Sequence, residues 1–222
     1  MVTTRSAQRL RWVLDGPLET AIAVLKQPYH DPDTTPEPYC TLQGNELVWH
    51  AVTQAPYTEP KVSSVTVSVT EIDDWEYQWS ELHYRHTDPP DGDDDDEDED
   101  DWPSECCGDH ADTKLVVKAT GEYVTVHDYV SAVHPWLLRK HDELLEALAV
   151  LDDEPRISLP AGEHLMVTSV GPDILSVGTK EDWLRDKAKD VYLRFAQFVA
   201  DSEYVELRND DDYGPPPGYS GP

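Results

Sequence analysis

The stretch VSSVTVSVT, residues 62–70, decides the fold class, because its β-branched and hydroxyl residues alternate with the period of two that a β-strand requires. The alternate valines from Val65 to Val69 would face the core, and the serines and threonine between them would face the other side of the sheet. The next segment, WEYQWSELHYRH at 75–86, continues the alternation. It predicts a second strand, in which Trp75, Tyr77 and Trp79 lie on the same side.

Shorter segments rich in β-branched residues extend the predicted sheet. Residues 47–52 and 113–120 (TKLVVKAT) are predicted strands. Residues 164–170 (HLMVTSV) and 174–177 (ILSV) flank a Gly-Pro-Asp turn at 171–173 and predict a hairpin. We therefore expect an antiparallel sheet of four to six strands.

The period changes at Thr125, where the first of two main helices is predicted over 125–151. Thr125 and Asp128 fit a capping box, in which the hydroxyl is positioned to accept from an unpaired backbone N–H and the carboxylate is favoured by the helix dipole. Pro135 interrupts this helix and predicts a kink or a fresh helix start, because its ring clashes with the carbonyl four residues earlier. The apolar surface would include Trp136, Leu137, Leu144, Leu145, Leu148 and Leu151.

The second main helix is predicted over 180–200 and begins at an equivalent box formed by Thr179 and Asp182. Its apolar residues keep to one face: Leu184, Ala188, Val191, Tyr192, Phe195, Phe198 and Val199. A further short helix is predicted over 18–25, whereas the four prolines that follow it between residues 28 and 38 predict an irregular loop.

These elements predict an α+β fold, in which the antiparallel sheet packs against the two main helices. The chain length favours a single domain at 1–208 with an acidic loop insertion at 88–112. The proline- and glycine-rich tail at 209–222 lacks core-forming residues, and we expect this tail and the acidic loop to be disordered. The first fourteen residues, which carry three arginines and no acid, are interpreted as a short basic turn.

The formal charge of −29 excludes several classes of partner. A strongly negative field repels nucleic-acid phosphates and anionic lipid headgroups, so we expect no direct nucleic-acid or membrane binding. The three cysteines, of which two are adjacent, indicate a reducing compartment, and no apolar run has the length of a membrane span or signal sequence. The predicted location is cytoplasmic or nuclear, and the basic start leaves mitochondrial targeting open. The oligomeric state is also left open.

The most unusual feature is an unbroken run of nine carboxylates: Asp93, Asp94, Asp95, Asp96, Glu97, Asp98, Glu99, Asp100 and Asp101. Contiguous like charges repel one another, so the simplest interpretation is a solvated loop. The functional alternative is a tether for a basic partner protein, with an attraction that weakens as salt rises. The run lacks the spaced ligands, turn glycine and closing glutamate of an EF-hand calcium loop.

Potential zinc ligands flank the acidic run at both ends: His83, His86, Cys106, Cys107 and His110. Zinc is therefore the alternative cofactor, although adjacent cysteines point apart and a strand would place the two preceding histidines on opposite sides. A thiol-dependent activity of Cys107 with His110 is opposed by the nearby carboxylates, which would raise the thiol pKa.

No catalytic or cofactor motif stands out in the chain. The sequence contains no phosphate-binding glycine loop, no GxSxG elbow and no HExxH pair, so we predict a protein without enzymatic activity and without a required cofactor. Histidines on predicted elements, such as His134, are interpreted as packed residues. Four tryptophans are assigned to the core, with an exposed aromatic groove as the alternative: Trp75, Trp79, Trp136 and Trp183.

Three motifs occur together in the chain: EPKVSSVTVSV at 59–69, DDWEYQW at 73–79 and GEYVTVHDYVSAVHPWL at 121–137. Their order resembles a group of small fungal domains of unknown function, in which a strand, a tryptophan strand and a "vTvxDvlxaiyxxL" helix start follow one another. The resemblance covers roughly residues 45–150. It implies a fold and no known activity, substrate or cofactor. The sequence as a whole predicts a non-enzymatic interaction protein.

Overall fold

The computed structural model describes residues 1–87, 113–151, 159 and 161–194, and it describes side chains within the first range only to residue 78. Its strands in chain order are β1 (Val2–Thr3), β2 (Leu10–Val13), β3 (Ile22–Val24), β4 (Glu37–Pro38), β5 (Cys40–Gln43), β6 (Glu46–Trp49), β7 (Thr58–Glu59), β8 (Ser64–Val69), β9 (Leu115–Lys118), β10 (Met166–Val170) and β11 (Ile174–Gly178). Its α-helices are α1 (Leu18–Ala21), α2 (Thr70–Thr87), α3 (Val126–Arg139), α4 (His141–Leu151) and α5 (Lys180–Asp186). The predicted acidic loop at 88–112 and tail at 209–222 lie outside the described residues.

The predicted α+β class is confirmed, with a larger sheet than expected. Seven of the described strands form one sheet in the order β4-β3-β2-β10-β11-β8-β9. Its neighbouring strands are antiparallel except for β11 and β8, which are parallel, so the sheet is mixed. The strand that decided the fold class is confirmed as β8, with Val65, Val67 and Val69 buried.

The N-terminal segment was interpreted as a short basic turn, and this interpretation is wrong. Residues 10–13 form β2, which lies between β3 and β10 in the middle of the sheet. Leu10 and Trp12 are buried, whereas Arg11 and Val13 are only partly so. Four alternating residues give too short a pattern to be recognised as a strand without the neighbouring strands.

The helix predicted over 18–25 is only half correct. α1 is a single turn, and the chain then continues as β3, which pairs with β2. The apolar residues at 21, 22, 24 and 25 fit both a helical period and a strand period. Pairing with the neighbouring strand β2 gives residues 22–24 the strand conformation. Farther along, the strand predicted over 47–52 is confirmed only to Trp49, as β6, because residues 51–54 form a turn of 3-10 helix. Its antiparallel partner β5 was not predicted.

The strand predicted over 75–86 is wrong, because these residues belong to the helix α2. The tryptophans and tyrosine alternate, but the glutamate and glutamine between them and the glutamate and leucine that follow favour a helix. β8 pairs directly with β9, in the register Ser64↔Lys118 to Val67↔Leu115, so no place remains for a strand between them. The predicted strand over 113–120 is confirmed as β9.

The first predicted capping box is confirmed at the start of α3, and Pro135 does not interrupt that helix. The break comes at Lys140, between α3 and α4. Pro135 and Ser131 are both exposed, so water can bond the Ser131 carbonyl that has lost its N–H partner. Trp136, Leu137 and Leu144 are buried as predicted.

The second capping box is also confirmed, but the continuous helix with one apolar face predicted over 180–200 is wrong for the described residues 180–194, and Phe195, Phe198 and Val199 lie outside the described residues. α5 ends at Asp186, and Lys187 and Ala188 separate it from further helical residues at 189–194. Trp183 and Lys187 are buried, whereas Leu184 and Val191 are exposed. The break changes the face that residues 189–194 present, so a single helical period does not apply to residues 180–194.

The core lies between the large sheet and the helices packed on it. Its fully buried aromatic side chains are Trp12, Tyr39, Tyr57, Tyr129 and Trp136. Among the tryptophans predicted for the core, Trp136 and Trp183 are buried, Trp75 is partly buried, and the side chain of Trp79 is not described. In the described part of the chain, none of the helices is long and apolar enough to cross a membrane.

Candidate functional site

The structure leaves most of the predicted site residues undescribed. The acidic run at 93–101 and the ligand candidates Cys106, Cys107 and His110 lie outside the described residues. His83 and His86 lie on α2. Within the described ranges, no group of three histidine, cysteine or acidic side chains is arranged to hold a metal ion.

The base of the acidic insertion is well defined, because α2 begins directly after β8. Ser68 Oγ donates a hydrogen bond to Asp73 Oδ2 at 2.7 Å, and Thr70 Oγ1 donates to the Leu175 carbonyl at 3.2 Å. The backbone N–H of Val177 donates to Glu71 Oε2 at 2.9 Å. These bonds fix the first turns of α2 against β8 and β11.

Two more features of this turn concern charge. Burial raises the pKa of Glu71 to about 7, although the hydrogen bond from Val177 acts in the opposite direction. Asp74 and Asp182 add to the increase by repulsion. The start of α2 is thus already acidic before the run of carboxylates begins, and acids in the first turn suit the helix dipole.

Of the three cysteines, Cys40 lies within the described residues. Its surroundings do not favour the reactive thiolate form. Burial and the nearby Glu19 raise the pKa of its thiol, which opposes formation of the thiolate. The thiol therefore adds nothing to the predicted thiol chemistry of Cys106 and Cys107.

A second candidate site, which the sequence did not predict, is an open cleft of about 460 Å³ that we call the α5 cleft. It lies between the proline-rich segment at 30–36 and α5. Its lining residues are Arg11, His30, Pro32, Thr34, Thr35, Pro36, Lys180, Trp183 and Leu184. Three chain segments far apart in the sequence therefore meet at this cleft.

Buried Trp183 organises the α5 cleft. The Arg11 guanidinium lies 5.8 Å from the centroid of the Trp183 ring, and the His30 ring centroid lies 5.4 Å from it. The His30 backbone N–H donates to the Lys187 carbonyl at 2.7 Å, which ties the proline-rich segment to the end of α5. Lys187 Nζ in turn donates to the carbonyl of Gln8 at 3.0 Å, and burial lowers its pKa to about 8.

Comparisons of the chain with protein-family models, curated proteins and solved structures found no match. The resemblance of residues 45–150 to the fungal domains stays a prediction based on its three motifs. Function is therefore inferred from the charges, contacts and geometry of the chain itself.

Proposed function

We propose that this protein is a non-enzymatic intracellular interaction domain, cytoplasmic or nuclear, that binds a basic partner protein through the acidic run at 93–101. The direct pairing of β8 with β9 is the observation that carries this proposal. The strands on either side of the insertion close the sheet without any residue of the run. A partner could therefore bind the run without displacing either of these strands.

The charge distribution supports a basic protein as the partner. Residues 88–101 contain eleven acids and no base, and the chain as a whole carries −29. Such a segment attracts lysine- and arginine-rich surfaces over a Debye length of about 10 Å at 0.1 M salt. The same field repels nucleic-acid phosphates and anionic lipid headgroups, so these are not the proposed partners.

The test compares the intact chain with a variant in which Asp93 to Asp101 are replaced by asparagine and glutamine at unchanged length. The probe is a fluorescent lysine- and arginine-rich peptide, titrated by anisotropy from about 50 to about 300 mM NaCl. We expect salt-sensitive binding by the intact chain and a loss of about tenfold or more in the variant at low salt.

Two controls separate this loss from damage to the fold. Near-ultraviolet circular dichroism and Tm report whether the neutralised variant keeps its core. Deletion of the tail at 209–222 removes other acids and should leave peptide binding nearly unchanged. Equal binding by the intact chain and the neutralised variant would reject the acidic run as the binding segment.

A structural zinc site is the second candidate, and the position of α2 favours it. Residues 83 and 86 are one helical turn apart, whereas the predicted strand placed them on opposite sides. His83 and His86 would join ligands from Cys106, Cys107 and His110. The test is the metal content of protein purified without chelator or nickel, together with titration of the native thiols.

About one zinc per chain, with thiols that react only after a chelator is added, would support the zinc site. Metal-free protein with freely reactive thiols would remove it. Neutralising the acidic run should leave the bound zinc in place, so this measurement is independent of peptide binding.

A further inference from the structure

The α5 cleft differs in charge from the rest of the chain. The sequence contains 46 acidic and 17 basic residues, yet the cleft is lined by Arg11, His30 and Lys180 and by no carboxylate. Asp31 and Asp33 belong to the neighbouring loop and do not line the cleft. The cleft is thus a local cationic site on an acidic protein.

The two permanent cations of the cleft are not neutralised by the described part of the protein. Other basic residues of the same region form ion pairs, such as Arg185 with Asp182 at 2.8 Å and Arg194 with Asp190 at 2.9 Å. Neither Arg11 nor Lys180 has an ion pair with a described carboxylate. Within the described part of the chain, their charges are therefore open to an anion.

The walls of the cleft supply apolar contact and further hydrogen-bond donors. Pro32, Pro36 and Leu184 contribute apolar surface. Thr34 Oγ1 donates to the Asp31 carbonyl, whereas the hydroxyl of Thr35 makes no hydrogen bond to a described residue. The indole N–H of Trp183 is buried and has no acceptor among the described residues, so it is not one of the donors that the cleft offers.

Both size and rigidity fit a small ligand. The volume of about 460 Å³ lies within the range of small-molecule sites. Arg11 extends from a central strand, and the hydrogen bond from His30 to Lys187 holds the opposite wall. A preformed site loses little entropy when it binds.

We propose that the α5 cleft binds a small organic anion whose carboxylate or phosphate group contacts Arg11 and Lys180 and whose apolar body packs on Pro32, Pro36 and Leu184. The overall charge of −29 favours a small anion over a polyanion, because the long-range field repels nucleic acids and acidic surfaces. This site is separate from the acidic run and does not depend on the function proposed for it.

The test uses phenyl phosphate and benzoate as probes, with benzyl alcohol as the neutral probe and inorganic phosphate as the probe without an apolar body. Isothermal titration calorimetry should give saturable one-to-one binding of at least one organic anion. Benzyl alcohol should not bind, and inorganic phosphate should bind at least about fivefold more weakly than the organic anion that binds more tightly. The two organic anions distinguish a phosphate from a carboxylate site.

The matched variants are Arg11→Gln and Lys180→Gln, with Lys118→Gln on β9 as the control. Lys180 and Lys118 are both exposed, so their substitution removes a charge without disturbing the core. We expect each cleft variant to weaken binding of the organic anion about fivefold or more, and the control to leave it unchanged. Lys180→Gln keeps the test valid if Arg11→Gln weakens the fold.

The absence of saturable binding of either organic anion would overturn the proposal. So would equal affinities of the intact chain and both cleft variants. Equal affinity for inorganic phosphate and for the organic anion that binds more tightly would overturn the assigned apolar contacts.

Discussion

Trp12 on β2 donates its indole N–H to Nδ1 of His134 on α3 across 3.0 Å in the buried core. Because Nδ1 accepts this bond, a neutral imidazole carries its proton on Nε2. Nε2 lies 3.0 Å from the carbonyl oxygen of Gly16, to which it donates. The imidazole of His134 on α3 thus forms hydrogen bonds both to a side chain of β2 and to the backbone of the loop that follows β2.

We expect Trp12→Phe to lower the free energy of unfolding more than Trp136→Phe. Both tryptophans are buried in the same core, but Nε1 of Trp136 has no partner among the described residues. Trp12→Phe also leaves Nδ1 of His134 without its donor, which should cost about 1 to 3 kcal/mol beyond the loss of contact area. Urea unfolding of the two variants measures the difference, and equal losses would contradict the role assigned to the bond.

Gly171 at the β10–β11 hairpin should be intolerant of any side chain. A Cβ there would overlap the carbonyl oxygen of Ile174, and the Gly171 carbonyl accepts hydrogen bonds from Tyr57 and Tyr129. We expect Gly171→Ala to destabilise the protein by about 2 kcal/mol or more, because the backbone must shift. Gly121→Ala is the matched control, since a Cβ at Gly121 meets nothing within 4 Å. Similar Tm values for the two variants would show that the hairpin adjusts freely.

The elements that were predicted correctly have sequence patterns that lie within a few neighbouring residues. The valine alternation of β8, the Gly-Pro-Asp turn of the hairpin and the two Thr-to-Asp capping boxes are all of this kind. β2 and β3 were not predicted because they are too short to carry a recognisable alternating pattern, and their extended conformation depends on pairing with neighbouring strands. α2 was misassigned because its aromatic residues alternate while its other residues favour a helix.

The α5 cleft could not be predicted from spacing in the sequence. Its residues come from positions 11, 30–36 and 180–184, and only the order of the strands brings them together. The parallel pairing of β8 with β11 is non-local in the same way. By contrast, the acidic run and its flanking ligands are local sequence features, and their roles stay predictions.

Asp128 should stabilise the start of α3 mainly in its charged form. Burial alone would raise its pKa, but hydrogen bonds from Thr125 N–H at 2.9 Å and Thr120 Oγ1 at 2.7 Å outweigh it, so the pKa is lowered. A lowered pKa gives stability that is present above the unfolded value and lost as pH falls through the folded value.

We therefore expect Asp128→Asn to cost about 1 to 2 kcal/mol at neutral pH and less near pH 3. Asp142→Asn on α4 is the control, because the Asp142 side chain is fully exposed. Urea unfolding at the two pH values measures both variants. A cost for Asp128→Asn that does not change with pH would contradict the importance of the charge.

Glu71 should have the opposite pH dependence. Burial raises its pKa from 4.5 to about 7, so the folded chain binds the proton more tightly than the unfolded chain. Stability from this group is therefore fully present below about pH 4.5 and falls as pH rises toward about 7. Glutamine keeps an oxygen that can accept the N–H of Val177 and carries no charge.

We expect Glu71→Gln to raise the free energy of unfolding by about 1 to 3 kcal/mol near pH 8 and to change it little near pH 4.5. Glu122→Gln is the matched control, because Glu122 is exposed and its substitution also removes one negative charge from a highly acidic chain. A gain shared by both variants would come from reduced general repulsion. A gain confined to Glu71→Gln, and only at the higher pH, would assign it to the buried carboxylate at the base of the acidic insertion.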